Sequence, residues 1–120
     1  MMYKIEAIVR EEKYEEIKHA LNMVGVNGIT AWQVLGFGSQ RGYKRYVRGQ
    51  EIDVMTHTKV KFEIVVSSKD WCDKTIETII EVARTGNVGD GKIFVSEISE
   101  AIRIRTGESG YGALQPDKEK

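Results

Sequence analysis

A glycine-rich stretch, "TGNVGDGKIF" at residues 85–94, carries the clearest chemistry in the sequence. Gly86, Gly89 and Gly91 are followed by Lys92 and then by an apolar run. Glycine-rich loops expose backbone N–H groups in a concave nest that binds anions, and a lysine adds a point charge. The pattern therefore predicts a phosphate-binding loop. For an isolated loop, the more common alternative is a simple turn that ends a helix.

The same stretch formally matches G-x-x-x-x-G-K, the beginning of a P-loop, but it differs from a P-loop in two respects. A P-loop follows a strand and begins a helix, whereas this loop follows a predicted helix and begins a predicted strand. Ile93 stands where the motif has the Ser or Thr that holds magnesium. We therefore expect phosphate binding by exposed amides without the P-loop fold.

Two arginines in "AIRIR", residues 101–105, strengthen the phosphate interpretation. In an extended segment, period two places the two isoleucines on one side and Arg103 and Arg105 on the other. Taken alone, this pattern favours solvated arginines at a sheet edge. Because Lys92 begins the preceding strand, we expect its charge to converge with both arginines beside the glycine nest. The combination favours a polyphosphate ligand, most economically a triphosphate.

Composition and spacing argue against several other functions. Lys plus Arg and Asp plus Glu number 18 each, so no overall charge attracts nucleic acid or a lipid surface. Cys72 is the only cysteine, which excludes an internal disulfide and a cysteine zinc cluster and favours a cytoplasmic location. His19 and His57 lack the spacing of metal ligands, and no nucleophile–base pair is evident.

Hydrophobic periodicity predicts the elements that must position these residues. Alternation predicts strands at 3–9, 29–37, 60–66 and 92–98 and a short extended segment at 101–105. Helical spacing predicts one helix from Tyr14 to Val24, ended by Gly25, and another capped by Ser67 or Ser68. The stripe of this second helix comprises Cys72, Ile76, Ile79, Ile80 and Ala83. The order β-α-β-β-α-β predicts an α+β, ferredoxin-like fold with both helices on one face of an antiparallel sheet.

The second face of this sheet has no predicted element to cover it. We expect that face to carry apolar residues, such as Phe62 and Ile64 or their alternates, and to be buried against copies of the chain. An oligomer is therefore expected. We also expect the tail from Thr106 to fray, because it holds glycines, the only proline and closing charges.

A long segment between the second and third strands, residues 38–57, has no sustained period. Loops of more than about 12–15 residues in a compact domain are usually functional or disordered. This one holds Arg41, Lys44, Arg45 and Arg48 around two tyrosines. The composition predicts a loop that contacts a partner, the alternative being a solvated hairpin extension.

The chain resembles the PII family of nitrogen signal-transduction proteins, of the GlnK/GlnB type, along nearly its whole length. The resemblance rests on "GFGSQRG", "YVRG", "KVKFEIVV", "ARTGNVGDGKIFV" and "RIRTGE". The pair "TGNVGDGKIFV" and "RIRTGE" at this spacing is highly specific. The resemblance implies a single domain at 1–112, with a T-loop near 38–57, a B-loop near 83–92 and a C-loop near 103–110, followed by a flexible tail at 113–120.

The resemblance also implies a homotrimeric, non-enzymatic sensor that binds ATP or ADP in clefts between subunits. The residues matching the family's nucleotide site are Ile8, Thr30, Gly36, Phe37, Gly38, Gln40, Glu63, Val65, Gly89, Asp90, Gly91, Lys92, Arg103 and Arg105. Many members bind 2-oxoglutarate through Mg²⁺ and ATP. Here Gln40 would coordinate Mg²⁺, and Lys59 would reach a 2-oxoglutarate carboxylate.

The resemblance implies that the partner is a nitrogen-metabolism protein, which this chain would control through the T-loop. The first candidate is an ammonium transporter. Arg48 would enter the transporter's pore, and Tyr46 would contact the partner, so the protein would reach the membrane only through that partner. A nitrogenase is the alternative target. Ile52 and Gln50 stand where relatives carry a uridylylated tyrosine and a phosphorylated serine, so covalent control there is not expected. From another class, the alternative is a small ferredoxin-like enzyme acting on a phosphorylated substrate.

Overall fold

The computed structural model describes residues 1–37, 44–47, 50–53 and 56–116. Its strands are β1 (Met2–Arg10), β2 (Ile29–Phe37), β3 (Lys44–Val47), β4 (Gln50–Asp53), β5 (Thr56–Val66) and β6 (Gly91–Ile98). Its α-helices are α1 (Tyr14–Met23) and α2 (Lys69–Ala83). Short 3-10 helices occupy Glu11–Lys13 and Gly110–Leu114. No helix in the described ranges is long and apolar enough to cross a membrane.

Four of the strands form an antiparallel sheet in the order β2-β5-β1-β6, as expected for the ferredoxin-like arrangement. The central strand β1 contributes Ile5, Ala7 and Val9, all of which are buried. Both helices pack on this face, where Ile17 of α1 and Ile79 of α2 complete the same hydrophobic core. Helix burial on one face supplies the main stabilisation, because each fully buried aliphatic side chain contributes about 1.5–3 kcal/mol.

Local signals set the ends of both helices. The Ser68 hydroxyl caps α2 by accepting a hydrogen bond from the Trp71 N–H at 3.2 Å, as the sequence predicted. Gly25 follows α1 with φ of +92°, a left-handed conformation that glycine adopts without strain. Residues 84–90 then connect α2 to β6, so the glycine-rich stretch lies between a helix and a strand.

The face of the sheet away from the helices, here called the open face, is charged at its centre. Glu6 accepts ion pairs from Lys4 at 3.1 Å and Lys61 at 3.0 Å, and the Lys61 ammonium lies over the Trp32 ring. These lysines lower the pKa of Glu6, with Lys61 the larger cause. The expected apolar open face is therefore wrong at its centre. Phe62 and Ile64 instead belong to the core beneath the helices, and their neighbour Lys61 is the residue of β5 that pairs with Glu6 on the open face.

The long segment contains more regular structure than its sequence indicates. Strands β3 and β4 pair antiparallel, with Lys44 opposite Asp53 and Val47 opposite Gln50. In addition, β5 begins at Thr56, within the segment assigned to the loop. The β3–β4 pairing and the first residues of β5 are held by main-chain hydrogen bonds and need no apolar alternation. Hydrophobic periodicity therefore did not reveal them.

The C-terminal segment differs from its prediction. Residues 101–105 form no strand beyond an isolated bridge between Ile102 and Ser109, and the chain turns at 104–106. The turn is closed by the Arg103 N–H, which donates to the Glu108 carbonyl at 2.8 Å, and by the Gly107 N–H, which donates to the Arg103 carbonyl. These local bonds replace the ladder that an additional strand would have needed. Gly110–Leu114 forms a 3-10 helix where fraying was expected.

Candidate functional site: a groove beside the glycine loop

The glycine loop, defined here as residues 84–92, depends on glycine for steric reasons. Gly86, Gly89 and Gly91 have φ values of +89°, +103° and +109°, which other residues rarely adopt. At Gly91 a Cβ atom would lie 1.8 Å from the Ile8 carbonyl oxygen. The backbone of β1 therefore approaches the loop directly, and only glycine allows β6 to begin at that point.

Asp90 organises the first half of the glycine loop. Its carboxylate accepts hydrogen bonds from the Thr85 and Gly86 N–H groups, each at 2.9 Å, and from the Thr85 hydroxyl. The Thr85 hydroxyl, the two amides and Arg10 hold the pKa of Asp90 far below its ordinary value. The family resemblance implied a phosphate contact for Asp90. Its carboxylate instead lies inside the loop, so any phosphate contact there falls to the backbone.

Arg10, at the end of β1, is a residue that the sequence analysis missed. Its Nε donates to Asp90 Oδ1 at 3.1 Å, and its Nη2 donates to the Val88 carbonyl at 2.8 Å. The contact joins residues 80 positions apart. The topology offered an indirect signal, because β1 and β6 are antiparallel neighbours and the end of one lies beside the start of the other.

Lys59 approaches the loop from β5. Its ammonium donates to the Gly89 carbonyl, and Lys59 pairs with Arg10 across the β1–β5 ladder. Burial, followed by the positive charge of Arg10, lowers the pKa of Lys59. An anion bound beside this ammonium would offset both effects.

A groove of about 530 Å³ runs between the glycine loop and the ends of β2 and β5. Its lining residues are Ile8, Gly36, Phe37, His57, Lys59, Asn87, Val88, Gly89, Asp90, Gly91, Lys92 and Phe94. Eight of these are residues predicted above for nucleotide or 2-oxoglutarate, namely Ile8, Gly36, Phe37, Lys59, Gly89, Asp90, Gly91 and Lys92. The sheet therefore brings together chain segments from positions 8, 36, 59 and 89–92. This size suits a small ligand.

The other described residues predicted for the nucleotide lie elsewhere on the same chain. Thr30 pairs with Glu63, whereas Gly36 at the groove pairs with His57. The two pairs are six positions apart along the strands, a distance of about 20 Å at the usual rise per residue. Val65 lies farther still along β5. These residues and the groove thus occupy opposite ends of the open face.

The expected convergence of Lys92, Arg103 and Arg105 does not occur within one chain. Lys92 lies at the beginning of β6, whereas both arginines follow the end of that strand. The Arg103 guanidinium binds the Glu108 carboxylate at 3.0 Å and the Gln115 carbonyl, and it is largely buried. The three cations do not converge because six residues of extended β6, at 93–98, follow Lys92 before the segment that carries the arginines begins.

Four predicted residues lack a described side chain. Gly38, Gln40 and Arg48 lie outside the described residues, and Tyr46 is described only by its position in β3. The predicted magnesium contact of Gln40 and the partner contacts of Arg48 and Tyr46 therefore remain predictions. In the described part of the chain, no group of three His, Cys, Asp or Glu side chains could hold a metal ion.

Comparison with known proteins identifies the family. Residues 2–108 match the family model described as "Nitrogen regulatory protein P-II". The chain belongs to the PII family. A nitrogen regulatory protein P-II of Bradyrhizobium diazoefficiens is 51% identical over 113 residues, covering 94% of this chain and 100% of the relative. Nitrogen regulatory protein P-II 1 of Methanothermobacter thermautotrophicus is 49% identical, with coverages of 94% and 97%.

Solved PII structures share the fold. Arabidopsis thaliana PII bound to citrate has a TM-score of 0.75 and 41% identity, covering 99% of this chain and 94% of that one. The ATP complex of B. subtilis GlnK gives the same score and identity, with coverages of 94% and 97%. The expectation of a regulator and not an enzyme is confirmed, because the PII relatives are named as regulatory proteins.

Proposed function

We propose that this PII protein binds ATP or ADP with the nucleotide phosphates in the groove beside the glycine loop. The observation that supports this proposal best is that one groove is lined by the glycine-rich backbone and by residues distant in sequence. These residues are Ile8, Gly36, Lys59 and Lys92. The N–H groups of residues 85–87 are used inside the loop, so phosphate binding falls to the stretch from Gly89 to Lys92. The B. subtilis GlnK relative is an ATP complex, which supports the same ligand.

The site is completed by a second copy of the chain in a homotrimer. Thr30, Glu63, Val65, Arg103 and Arg105 are too far from the groove of their own chain to reach the same nucleotide. A head-to-tail contact places these residues beside the groove of the next chain, and such contacts form closed rings when the rotation permits. Exposed apolar side chains at the sheet edge, including Leu35 and Phe37 of β2, are suited to burial in that contact.

A dicarboxylate such as 2-oxoglutarate binds at the Lys59 end of the groove and requires Mg-ATP. Lys59 supplies one cation, and the phosphates nearby repel a dicarboxylate unless a metal offsets their charge. The Asp90 carboxylate is already bound by Thr85, Gly86 and Arg10, and the Mg²⁺ contact is assigned to Gln40 and the phosphates because the family resemblance implies it. When bound, Mg²⁺ would supply positive charge that offsets the charge of the phosphates. The Arabidopsis thaliana PII structure is bound to citrate, which supports a binding site for a carboxylic acid in this family.

Bound ligand controls the loop at 38–57, because both ends of that loop meet at the groove. Phe37 precedes the loop, His57 ends it, and both line the groove. Nucleotides with different phosphate charge therefore make different contacts at the loop's base, which is the differential interaction that a conformational switch needs. The protein acts from the cytoplasm on a nitrogen-metabolism partner, in the first instance an ammonium transporter.

The nucleotide site is tested by titration calorimetry with ATP and ADP. Replacing Lys92 by Ala removes a charge-assisted bond of about 1.5–3 kcal/mol, so ATP should bind about tenfold more weakly or worse. Lys18→Ala, on an exposed face of α1, is the matched control and should bind as the unmodified protein does. Unchanged ATP affinity in Lys92→Ala would mean that the groove is not the phosphate site.

The partner is tested by pull-down from membranes containing an ammonium channel, followed by a transport assay. We expect channel binding with ADP, its loss with Mg-ATP and 2-oxoglutarate, and loss of channel block in Arg48→Ala. A planar guanidinium can donate several hydrogen bonds inside a narrow polar pore, which alanine cannot. Equal binding in both ligand states, or full block by the variant, would contradict this assignment and direct the search to a soluble target such as nitrogenase.

A further inference from the structure

We propose that Arg10 is a positioning residue for nucleotide binding, which acts on the phosphates through the glycine loop and not by touching them. The proposal rests on the proposed function, since it concerns the same groove. Arg10 ends β1, and its guanidinium contacts the loop at Asp90. It was not among the residues that the sequence or the family resemblance pointed to.

The contacts of Arg10 extend over consecutive loop residues. Nη2 donates to the Val88 carbonyl and Nε donates to the Asp90 carboxylate. Between them, a Cβ at Gly89 would lie 3.2 Å from Nη2, so the guanidinium lies directly against that glycine. One planar group therefore fixes Val88, Gly89 and Asp90 relative to β1. A guanidinium is suited to this because its donors are held in a rigid fork.

Asp90 passes this constraint to the other half of the loop. Its two carboxylate oxygens hold the Thr85 N–H, the Thr85 hydroxyl and the Gly86 N–H. Arg10 thus connects the end of β1 with both halves of the loop through a single carboxylate. The loop conformation that presents Gly89–Lys92 to a phosphate depends on these bonds.

Arg10 also compensates an unfavourable charge. Asp90 adjoins the stretch that binds phosphate, and an uncompensated carboxylate there would repel each phosphate group. The Arg10 guanidinium neutralises it at 3.1 Å. Within the described part of the chain, Arg10 does not line the groove, and its side chain is only 23% exposed. These placements separate its effect from that of Lys92, which does line the groove.

The experiment is a double-mutant cycle with Arg10→Gln and Asp90→Asn, measured by ATP and ADP calorimetry and by thermal unfolding. Arg10→Gln should weaken ATP about tenfold or more, and ADP by less, because the uncompensated carboxylate repels fewer phosphates. In the Asp90→Asn background the same replacement should change ATP affinity far less. Lys18→Gln removes an equal charge on the exposed face of α1, away from the glycine loop, and is the control, expected to bind ATP normally.

Arg10→Lys keeps the charge but loses the fork, and it should show an intermediate loss of ATP affinity while remaining folded. The proposal is overturned if Arg10→Gln binds ATP normally, or if its effect is undiminished in Asp90→Asn, which would indicate direct phosphate contact. It is also overturned if ATP and ADP weaken equally in step with lower thermal stability, which would indicate a structural role alone. If the unmodified protein does not bind ATP, the proposed function itself fails.

Discussion

At the scale of single residues, the glycine loop is determined by one carboxylate and two steric requirements. Asp90 supplies the acceptor for the Thr85 and Gly86 N–H groups, and Gly89 and Gly91 make room for Arg10 and for the β1 backbone. The sequence pointed to the loop because glycine, aspartate and lysine cluster there. It did not indicate Arg10, whose role depends on a contact made only when β1 and β6 become neighbours.

The ionised Asp90 carboxylate should stabilise the fold in a pH-dependent manner. Hydrogen bonds from Thr85 and Gly86 and the charge of Arg10 lower its folded-state pKa, so its contribution is complete above the ordinary carboxyl pKa of about 4. That contribution is lost as the pH falls further. Melting temperatures of the unmodified protein and Asp90→Asn should therefore differ most near neutral pH and converge in acid. A constant difference down to acid pH would contradict the assigned ionisation.

Two glycines of the loop provide a matched test of steric demand. Gly86 and Gly91 both have positive φ, but a Cβ at Gly86 meets nothing within 4 Å, whereas one at Gly91 overlaps the Ile8 carbonyl. Gly86→Ala should cost about 1–2 kcal/mol of unfolding free energy, the price of the left-handed conformation alone. Gly91→Ala should cost about 4 kcal/mol or more. Urea unfolding measures both, and equal losses would contradict the close approach of β1.

At the scale of elements, periodicity predicted those parts of the fold that bury an apolar face. The prediction for β2 at 29–37 matches the structure, and Ser68 caps α2 as expected. Periodicity did not predict the elements that main-chain hydrogen bonds hold together. Strands β3 and β4, for example, pair without an apolar alternation in their sequences. Periodicity also failed at 101–105, where Ile102 and Ile104 are exposed and local bonds to Glu108 close a turn.

The residues of the candidate site divide in the same way, into those that a local sequence pattern predicts and those that only the fold brings together. Gly89, Gly91 and Lys92 were predicted from composition and spacing, and the groove contains them. Ile8, Gly36 and Lys59 came only from the family resemblance, since nothing in the local pattern of a strand residue marks it as a groove residue. Their common position arises from the sheet order, in which β1 lies between β5 and β6 and β2 lies beyond β5.

At the scale of the whole molecule, the residues proposed for nucleotide binding form two half-sites about 20 Å apart, at opposite ends of the open face. One half-site is the groove with Lys92, and the other comprises Thr30, Glu63 and the segment of Arg103. Neither half alone supplies both a phosphate nest and a full set of cations. The arrangement is explained if neighbouring chains face each other head to tail, so that each nucleotide contacts one half-site from each chain.

Mixed trimers of Lys92→Ala and Arg103→Ala subunits test this central claim most directly. The two subunits are co-expressed with different tags, mixed trimers are purified, and ATP binding is measured by calorimetry. In a cyclic trimer with shared sites, any mixture contains a single cleft with both cations intact, so binding of normal affinity should reappear at one site per trimer. Homotrimers of either variant should bind weakly. If mixed trimers bind ATP no better than the variant homotrimers, the nucleotide site does not join Lys92 of one chain to Arg103 of the next.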